Sequence, residues 1–132
     1  MSEAVEWKQL APVLTVEAIE PCLPFWSERL GFTVAGQVPA GDAIAFAMLI
    51  QGNVHVMYQS RKSVADDLKN VTPEDLNART MLYVSVSDID AVERALQGVE
   101  IVVPRRKTFY GATEVAVREP GGNIVVFAEH DA

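Results

Sequence analysis

The order of predicted secondary-structure elements repeats once along this chain of 132 residues. Each half is expected to hold one strand, one helix and then three strands. The two helix entries, LTVEAI at residues 14–19 and VSVSDI at residues 84–89, are offset by seventy residues. One helix can cover only one face of a sheet. The second face of each sheet must therefore be covered by the other half, by a second chain or by a ligand.

The first half is predicted from the spacing of its apolar residues. Residues 9–16 are expected to form a strand, and a helix ending at Gly31 follows. The apolar stripe of this helix consists of Ile19, Leu23, Trp26 and Leu30. The three strands of this half are predicted at residues 33–38, 43–50 and 54–59.

The second half begins after a polar connector. Residues 61–79 are polar, and Thr72 followed by Pro73 is a helix-start signal. A strand is predicted at residues 80–86, then a helix from Asp88 to Gly98 and a strand at residues 99–103. The chain is thus expected to be a single domain over residues 1–132, with modules at about 8–60 and 80–130.

The closing segment is predicted to be a hairpin. Its strands are residues 114–118, which alternate in polarity, and residues 124–127, which are almost wholly apolar. Pro120-Gly121-Gly122-Asn123 forms the turn, in which the glycines are expected to supply positive φ. An apolar strand is covered on both faces, so residues 124–127 are expected to lie centrally in their sheet.

The composition restricts the partners. A formal net charge of −7 argues against nucleic acid and permits a cationic ligand. No apolar run approaches the ~18 residues of a membrane span. The N-terminus carries no signal-peptide pattern, and the lone Cys22 excludes an internal disulfide and a cysteine-rich zinc site. A cytoplasmic protein is expected.

Four segments together resemble the vicinal oxygen chelate superfamily, which includes glyoxalase I, extradiol dioxygenases and bleomycin resistance proteins. The segments are FWSERLGF at 25–32, VHVMYQ at 54–59, VSVSDID at 84–90 and TFYGATEVAVREPGGNIVVFAE at 108–129. The resemblance implies an α+β fold in which two βαβββ modules form a curved sheet. A homodimer is expected, because a two-fold partner is the commonest cover for open sheet faces.

The resemblance also implies four positions for metal ligands. Carried over to this sequence, they are Ala11, His55, Met81 and Val126. Only His55 could ligate a hard or borderline divalent ion, whereas a catalytic metal needs about three protein ligands. The chain is therefore expected to be a metal-less member with no cofactor.

A small-molecule site is predicted on the inward faces of the strands. The candidate ligand-binding residues are Phe46, Met48, His55, Met57, Met81, Tyr83, Phe109, Tyr110 and Glu114. The methionines and Phe46 could instead be core, and Glu114 could be a pocket carboxylate or half of a cross-strand ion pair. Arg118 is expected to pair with Glu119 or another nearby acid.

Two further features have competing interpretations. The basic run at residues 105–107, expected on a loop, is either a solvated rim or an anion site. Cys22 lies at a helix start, where a thiolate would be somewhat favoured, yet no paired His/Asp set accompanies it.

Three functions remain open from the sequence. The first is a metal-independent binding protein that sequesters a cationic or aromatic compound. The second is a lyase or dioxygenase of the glyoxalase type, with His55 and Glu114 as acid–base groups or incomplete ligands. The third is an accessory dimer without a ligand.

Overall fold

A computed structural model of the chain describes residues 4–77 and 79–132, which form two four-stranded sheets. Sheet 1 has the strand order β1-β4-β3-β2 and sheet 2 the order β5-β8-β7-β6. The strands of sheet 1 are β1 (Val13–Val16), β2 (Thr33–Ala40), β3 (Ala43–Gln51) and β4 (Val54–Ser60). The strands of sheet 2 are β5 (Met81–Ser85), β6 (Ile101–Lys107), β7 (Ala112–Arg118) and β8 (Ile124–His130).

Each sheet has the same topology, which confirms the predicted pair of βαβββ modules. The first strand of each module runs parallel to the fourth, and the remaining pairs are antiparallel. β8 lies between β5 and β7, so the prediction that the last apolar strand is central is confirmed.

The first helix is irregular. It consists of a 3₁₀ turn at Glu20–Cys22 and a π-helical turn at Phe25–Arg29, where the spacing predicted one regular helix. Pro24 has no backbone N–H to donate to the Glu20 carbonyl oxygen, so an unbroken ladder of α-helical hydrogen bonds cannot form, whereas Pro21 lies in the first turn, where an N–H has no helical partner. Gly31 ends the segment at φ +76°, as predicted.

In the described residues there are also three α-helices: α1 (Arg61–Asp67), α2 (Pro73–Leu76) and α3 (Ile89–Ala95). Thr72 and Asp75 form a reciprocal capping box at α2, and Asp88 caps α3 by accepting from the Ala91 N–H. No helix in residues 4–77 and 79–132 is long and apolar enough to cross a membrane.

The strand bounds differ from the prediction by up to four residues, and the largest differences are at the start of β1 and the end of β6. β1 begins at Val13, after Pro12, which lacks a ladder donor. β6 extends to Lys107, so the basic run at residues 105–107 belongs to a strand. The prediction that this run lies on a loop was wrong. Cross-strand pairing with β7 holds this end of β6 in the sheet, with Arg106 opposite Glu114.

One hydrophobic core joins the modules. The core-facing residues include Leu14, Leu49, Val56 and Tyr58 of sheet 1, Val115, Val117, Val125 and Phe127 of sheet 2, and Ile19, Cys22, Phe25 and Trp26 of the irregular helix. Because strand residues alternate between faces, the opposite face of each sheet is the one left for a partner or a ligand.

Candidate ligand-binding faces

The open face of sheet 1 carries four of the predicted residues. Met48 of β3 lies directly opposite Met57 of β4, while Phe46 and His55 occupy positions two residues away on the same face. Their neighbours along β4, such as Val56, are buried in the core. The structure therefore brings these four side chains together on one half-buried surface.

The open face of sheet 2 carries the other group. Met81 is 66% exposed and Tyr83 is 50% exposed, and both alternate with core residues along β5. Glu114 lies on the same face of β7. Phe109, which is fully exposed, and Tyr110 occupy the turn between β6 and β7. The predicted residues thus form two groups, one on each sheet.

Glu114 is the polar centre of the second group. Its side chain is almost fully buried, and its Oε2 atom accepts hydrogen bonds from the hydroxyls of Tyr83, at 2.9 Å, and Tyr110. Its Oε1 atom accepts from an Arg106 N–H at 3.2 Å. The Tyr110 hydrogen bond is the main cause that lowers the pKa of Glu114, against the opposing effect of desolvation. The carboxylate is therefore ionised at neutral pH and already has three donors.

The tyrosines of this cluster remain neutral donors. Desolvation, followed by the hydrogen bond to Glu114, raises the pKa of Tyr83 to about 12. The hydrogen bond to Glu114 is the main cause that raises the pKa of Tyr110. The Tyr83 hydroxyl also lies 3.2 Å from His130 Nε2. The cluster offers aromatic surface with hydroxyls held in place, and no nucleophile is activated in it.

The ion pairs decide between interpretations that the sequence left open. Glu114 is half of a cross-strand ion pair with Arg106. Arg105 contacts Asp90 and Glu93 at 2.6 and 2.8 Å, and Lys107 contacts Asp131 at 2.8 Å. All three cations of residues 105–107 have carboxylate partners, which favours a solvated rim over an anion site. Arg118 pairs with Glu100, at 3.2 Å, and not with Glu119.

The donor set does not fit a catalytic metal. Of the four ligand positions that the resemblance implies, Ala11 and Val126 have no donor atom, and Met81 offers only a thioether on an exposed strand position. In the described part of the chain, no three His, Cys, Asp or Glu side chains are grouped to hold an ion. No chemical step can be derived through a metal with these residues.

Cys22 is not poised as a nucleophile. The side chain is fully buried and its thiol lies 3.6 Å from the Ala18 carbonyl oxygen. Desolvation, and then the nearby Glu119 and Glu20, raise the pKa of the thiol to about 12. The expectation that a helix start would favour a thiolate was wrong, because the first helix is irregular and directs this side chain into the core.

One cavity was not predicted from the sequence. It has a volume of about 1130 Å³ and lies between α1 and the β2–β3 hairpin, at one end of sheet 1. Phe46 is the one predicted residue in its lining. The acidic pairs at Glu17 and Glu20, and at Asp66 and Asp67, were a signal in the sequence, but their convergence depends on how α1 folds back on the sheet.

The family model described as Glyoxalase/Bleomycin resistance protein/Dioxygenase superfamily matches residues 8–127. Among curated protein sequences, none matches this chain significantly.

Three solved structures of similar fold include two whose names state what they bind. TioX from Micromonospora sp. ML1 is 22% identical with a TM-score of 0.75, over 95% of this chain and 100% of that one. The bleomycin-binding protein from Streptomyces verticillus, complexed with copper(II)-bleomycin, is 23% identical with a TM-score of 0.67, over 97% and 100%. TnmS3, an antibiotic binding protein from Streptomyces sp. CB03234, is 16% identical with a TM-score of 0.74, over 98% and 100%. At these identities the likeness concerns the fold.

Proposed function

The chain belongs to the Glyoxalase/Bleomycin resistance protein/Dioxygenase superfamily, and on this basis we propose that it is a metal-independent protein that binds and sequesters a small cationic or aromatic compound. Binding of this kind needs a pocket or face with apolar and aromatic surface and a few fixed polar groups. It involves no covalent step.

The exposed aromatic cluster on sheet 2 is the observation that carries the proposal. Phe109 is 100% exposed and packs edge-on against Tyr110, with ring centroids 5.1 Å apart. The Tyr83 ring lies 6.0 Å from the His130 ring on the neighbouring strand. Exposed aromatic surface around hydroxyls that are already oriented suits stacking of a flat ligand.

Two further observations support this class of ligand. The net charge of −7 attracts cations over anions. Two proteins of similar fold are a bleomycin-binding protein and an antibiotic binding protein. The metal-dependent lyase or dioxygenase alternative is opposed by a ligand set in which only His55 can bind a hard divalent ion.

We also propose that the protein is a cytoplasmic homodimer. Val13, Met81, Tyr83 and Val103 are all at least 38% exposed on the sheets, and a second copy would cover such faces. Light scattering on eluting protein should give twice the 14.4 kDa chain mass. A monomer mass at all concentrations would contradict this.

The test is thermal melting of metal-stripped protein with copper-free bleomycin and a panel of aromatic cations, since a ligand of the native state raises the midpoint. We expect a shift that chelator does not remove and that Phe109→Ala reduces. Trp7→Ala is the matched control, because Trp7 is 91% exposed and precedes β1, outside the strands. A shift by a divalent metal that His55→Ala abolishes would contradict the proposal.

A further inference from the structure

A ligand cation requires a carboxylate that is free to meet it, and Glu114 is not free. Its two oxygens accept from Tyr83, Tyr110 and Arg106, so a cation arriving there would have to displace the guanidinium. The net charge of the Glu114–Arg106 pair is also zero. The aromatic cluster on sheet 2 can therefore stack a flat ligand without attracting its charge.

We propose that the groove between α1 and the β2–β3 hairpin, here called the cation groove, binds an organic cation with an apolar body. This inference rests on the proposed function, since it assigns the charge recognition of that function to a site on sheet 1. The groove is open to solvent on one side and has a volume of about 1130 Å³. Drug-sized ligands occupy pockets of roughly 300–1,000 Å³, so the space is sufficient.

The floor of the cation groove is mainly apolar. Val38, Phe46 and Gln59 form a cross-strand row on the open face of sheet 1, with Phe46 opposite both of the others. Val38 is 52% exposed. The small apolar residues Ala40 and Ala43 at the hairpin end extend this surface. An aliphatic or aromatic ligand body would bury this surface against Phe46.

The rim of the cation groove is acidic. Four carboxylates line it together with one ammonium group, that of Lys62, so the lining carries a net charge of −3. The four carboxylates are Glu17, Glu20, Asp66 and Asp67. An anion would be repelled by this lining, and a neutral ligand would gain nothing from it.

The ion pairs at the rim are weak enough for a ligand cation to displace them. The Lys62–Asp66 pair is 2.8 Å long, but its side chains are 84% and 67% exposed. The Arg61–Glu17 contact is 3.5 Å, and Glu17 is 88% exposed. Exposed pairs of this kind contribute little to stability, so a ligand cation can replace the lysine or arginine. Glu114 differs from these rim carboxylates, because it is almost fully buried and accepts from three donors.

The walls of the cation groove are held in place before a ligand arrives. The Glu20 carboxylate accepts from the Ile44 N–H at 2.8 Å, which ties the irregular helix to the β2–β3 hairpin. Val64 anchors α1 by its buried side chain, and α1 packs against β1, β3 and β4. A groove with fixed walls loses little conformational freedom when it binds.

The experiment uses two dyes that share a xanthene ring system and differ in charge. Rhodamine 6G is a cation and fluorescein is an anion at neutral pH, and fluorescence anisotropy follows the binding of each. We expect rhodamine 6G to bind at least about tenfold more tightly, with affinity that falls as salt screens the rim. Equal affinity for both dyes, or no binding of rhodamine 6G, would overturn the inference.

Substitutions in the cation groove test whether rhodamine 6G binds there. Asp66→Asn with Asp67→Asn should weaken rhodamine 6G binding about tenfold, because two rim charges are lost. The matched control removes two exposed charges elsewhere, with Glu28→Gln and Glu74→Gln, and should not weaken it. Val38→Arg places a cation on the floor and should abolish binding while the fold, checked by thermal melting, persists.

The remaining outcomes separate this inference from the proposed function. Rhodamine 6G binding that resists the groove variants but is lost in Phe109→Ala would overturn the cation groove and leave the binding function standing. A dimer that Val38→Arg converts to monomer would show that a second copy fills the groove, which also overturns the inference. Thermal melting with copper-free bleomycin tests the proposed function separately.

Discussion

The phenol of Tyr58 in β4 donates a 2.6 Å hydrogen bond to Oε2 of Glu119, 61 residues further along the chain. Both side chains are fully buried, and the bond joins sheet 1 to the β7–β8 turn of sheet 2. Tyr58 in turn accepts from the Trp26 indole N–H at 2.8 Å. Gly121 N–H, Asn123 N–H and the Asn123 side-chain amide supply the other donors to Glu119. The carboxylate is thus stabilised by dipoles, with no cation within salt-bridge distance in the described residues.

Replacing Tyr58 with phenylalanine should destabilise the protein. The Tyr58→Phe change deprives Glu119 of one donor and leaves the Trp26 N–H unpaired in the core. Unpaired buried polar groups cost about 1–3 kcal/mol each, so we expect a loss of roughly 2–4 kcal/mol in the free energy of unfolding. Urea denaturation measures it. Tyr83→Phe is the matched control, because the Tyr83 hydroxyl is on the open face. Its removal should lower the free energy of unfolding by clearly less. Equal losses would contradict the account.

Gly121 is required for close packing and not for its φ angle. Of the two turn glycines, only Gly122 has positive φ, at 95°, which corrects the expectation for both. A Cβ on Gly121 would lie 2.6 Å from Val16 Cγ1 and about 3.0 Å from a Glu119 oxygen. The side chain of Val16 is stiff and buried, so it cannot move aside.

We therefore expect Gly121→Ala to lower the free energy of unfolding by about 1–3 kcal/mol. Gly36→Ala is the control, because Gly36 has no positive φ and its Cβ would meet nothing within 4 Å. That change should be neutral or slightly stabilising. Denaturant unfolding of the two variants side by side measures the difference, and a neutral Gly121→Ala would show that the turn can relax.

The sequence predicts the fold well because the strands and helices depend on short-range patterns, such as alternation and helix caps. Alternation in residues 114–118 places a strand, and Asp88 and Thr72 cap helices where their side chains accept from the backbone three residues later. The irregular first helix was missed because its apolar stripe has regular spacing, while the interruption comes from the hydrogen-bond donor that Pro24 lacks.

The candidate site is less predictable because its contacts join distant segments. Alternation indicates which residues share a face, such as Met81 and Tyr83, but not which polar groups meet there. Arg106 reaches Glu114 only because β6 extends further than its apolar residues indicate. The cation groove depends on the return of α1 across sheet 1, which no local pattern specifies.

The hydrogen-bonded carboxylate of Glu114 should make the stability of the protein depend on pH. Its pKa is lowered from the usual value of 4.5, chiefly by the hydrogen bond from Tyr110. A folded-state pKa below the unfolded value adds stability above the unfolded pKa, and this stability is lost as pH falls through the folded pKa. Thermal midpoints of wild type and Glu114→Gln should therefore differ most at neutral pH and converge in acid, below 4.5. The exposed Glu74→Gln is the control, and a difference that persists unchanged in acid would contradict the prediction.

The Cys22 thiol should be unreactive in the native protein. Its pKa is raised from the usual value of 9.0 to about 12, first by desolvation and then by Glu119 and Glu20, and the side chain has no exposed surface. The thiolate is the reactive form, so a disulfide reagent at about pH 8 should modify native protein only as fast as the protein opens. The same protein in concentrated urea should react at the rate of an ordinary cysteine. Rapid reaction of the native protein would show that Cys22 is accessible, and would restore a thiol nucleophile to the candidate chemistry of this chain.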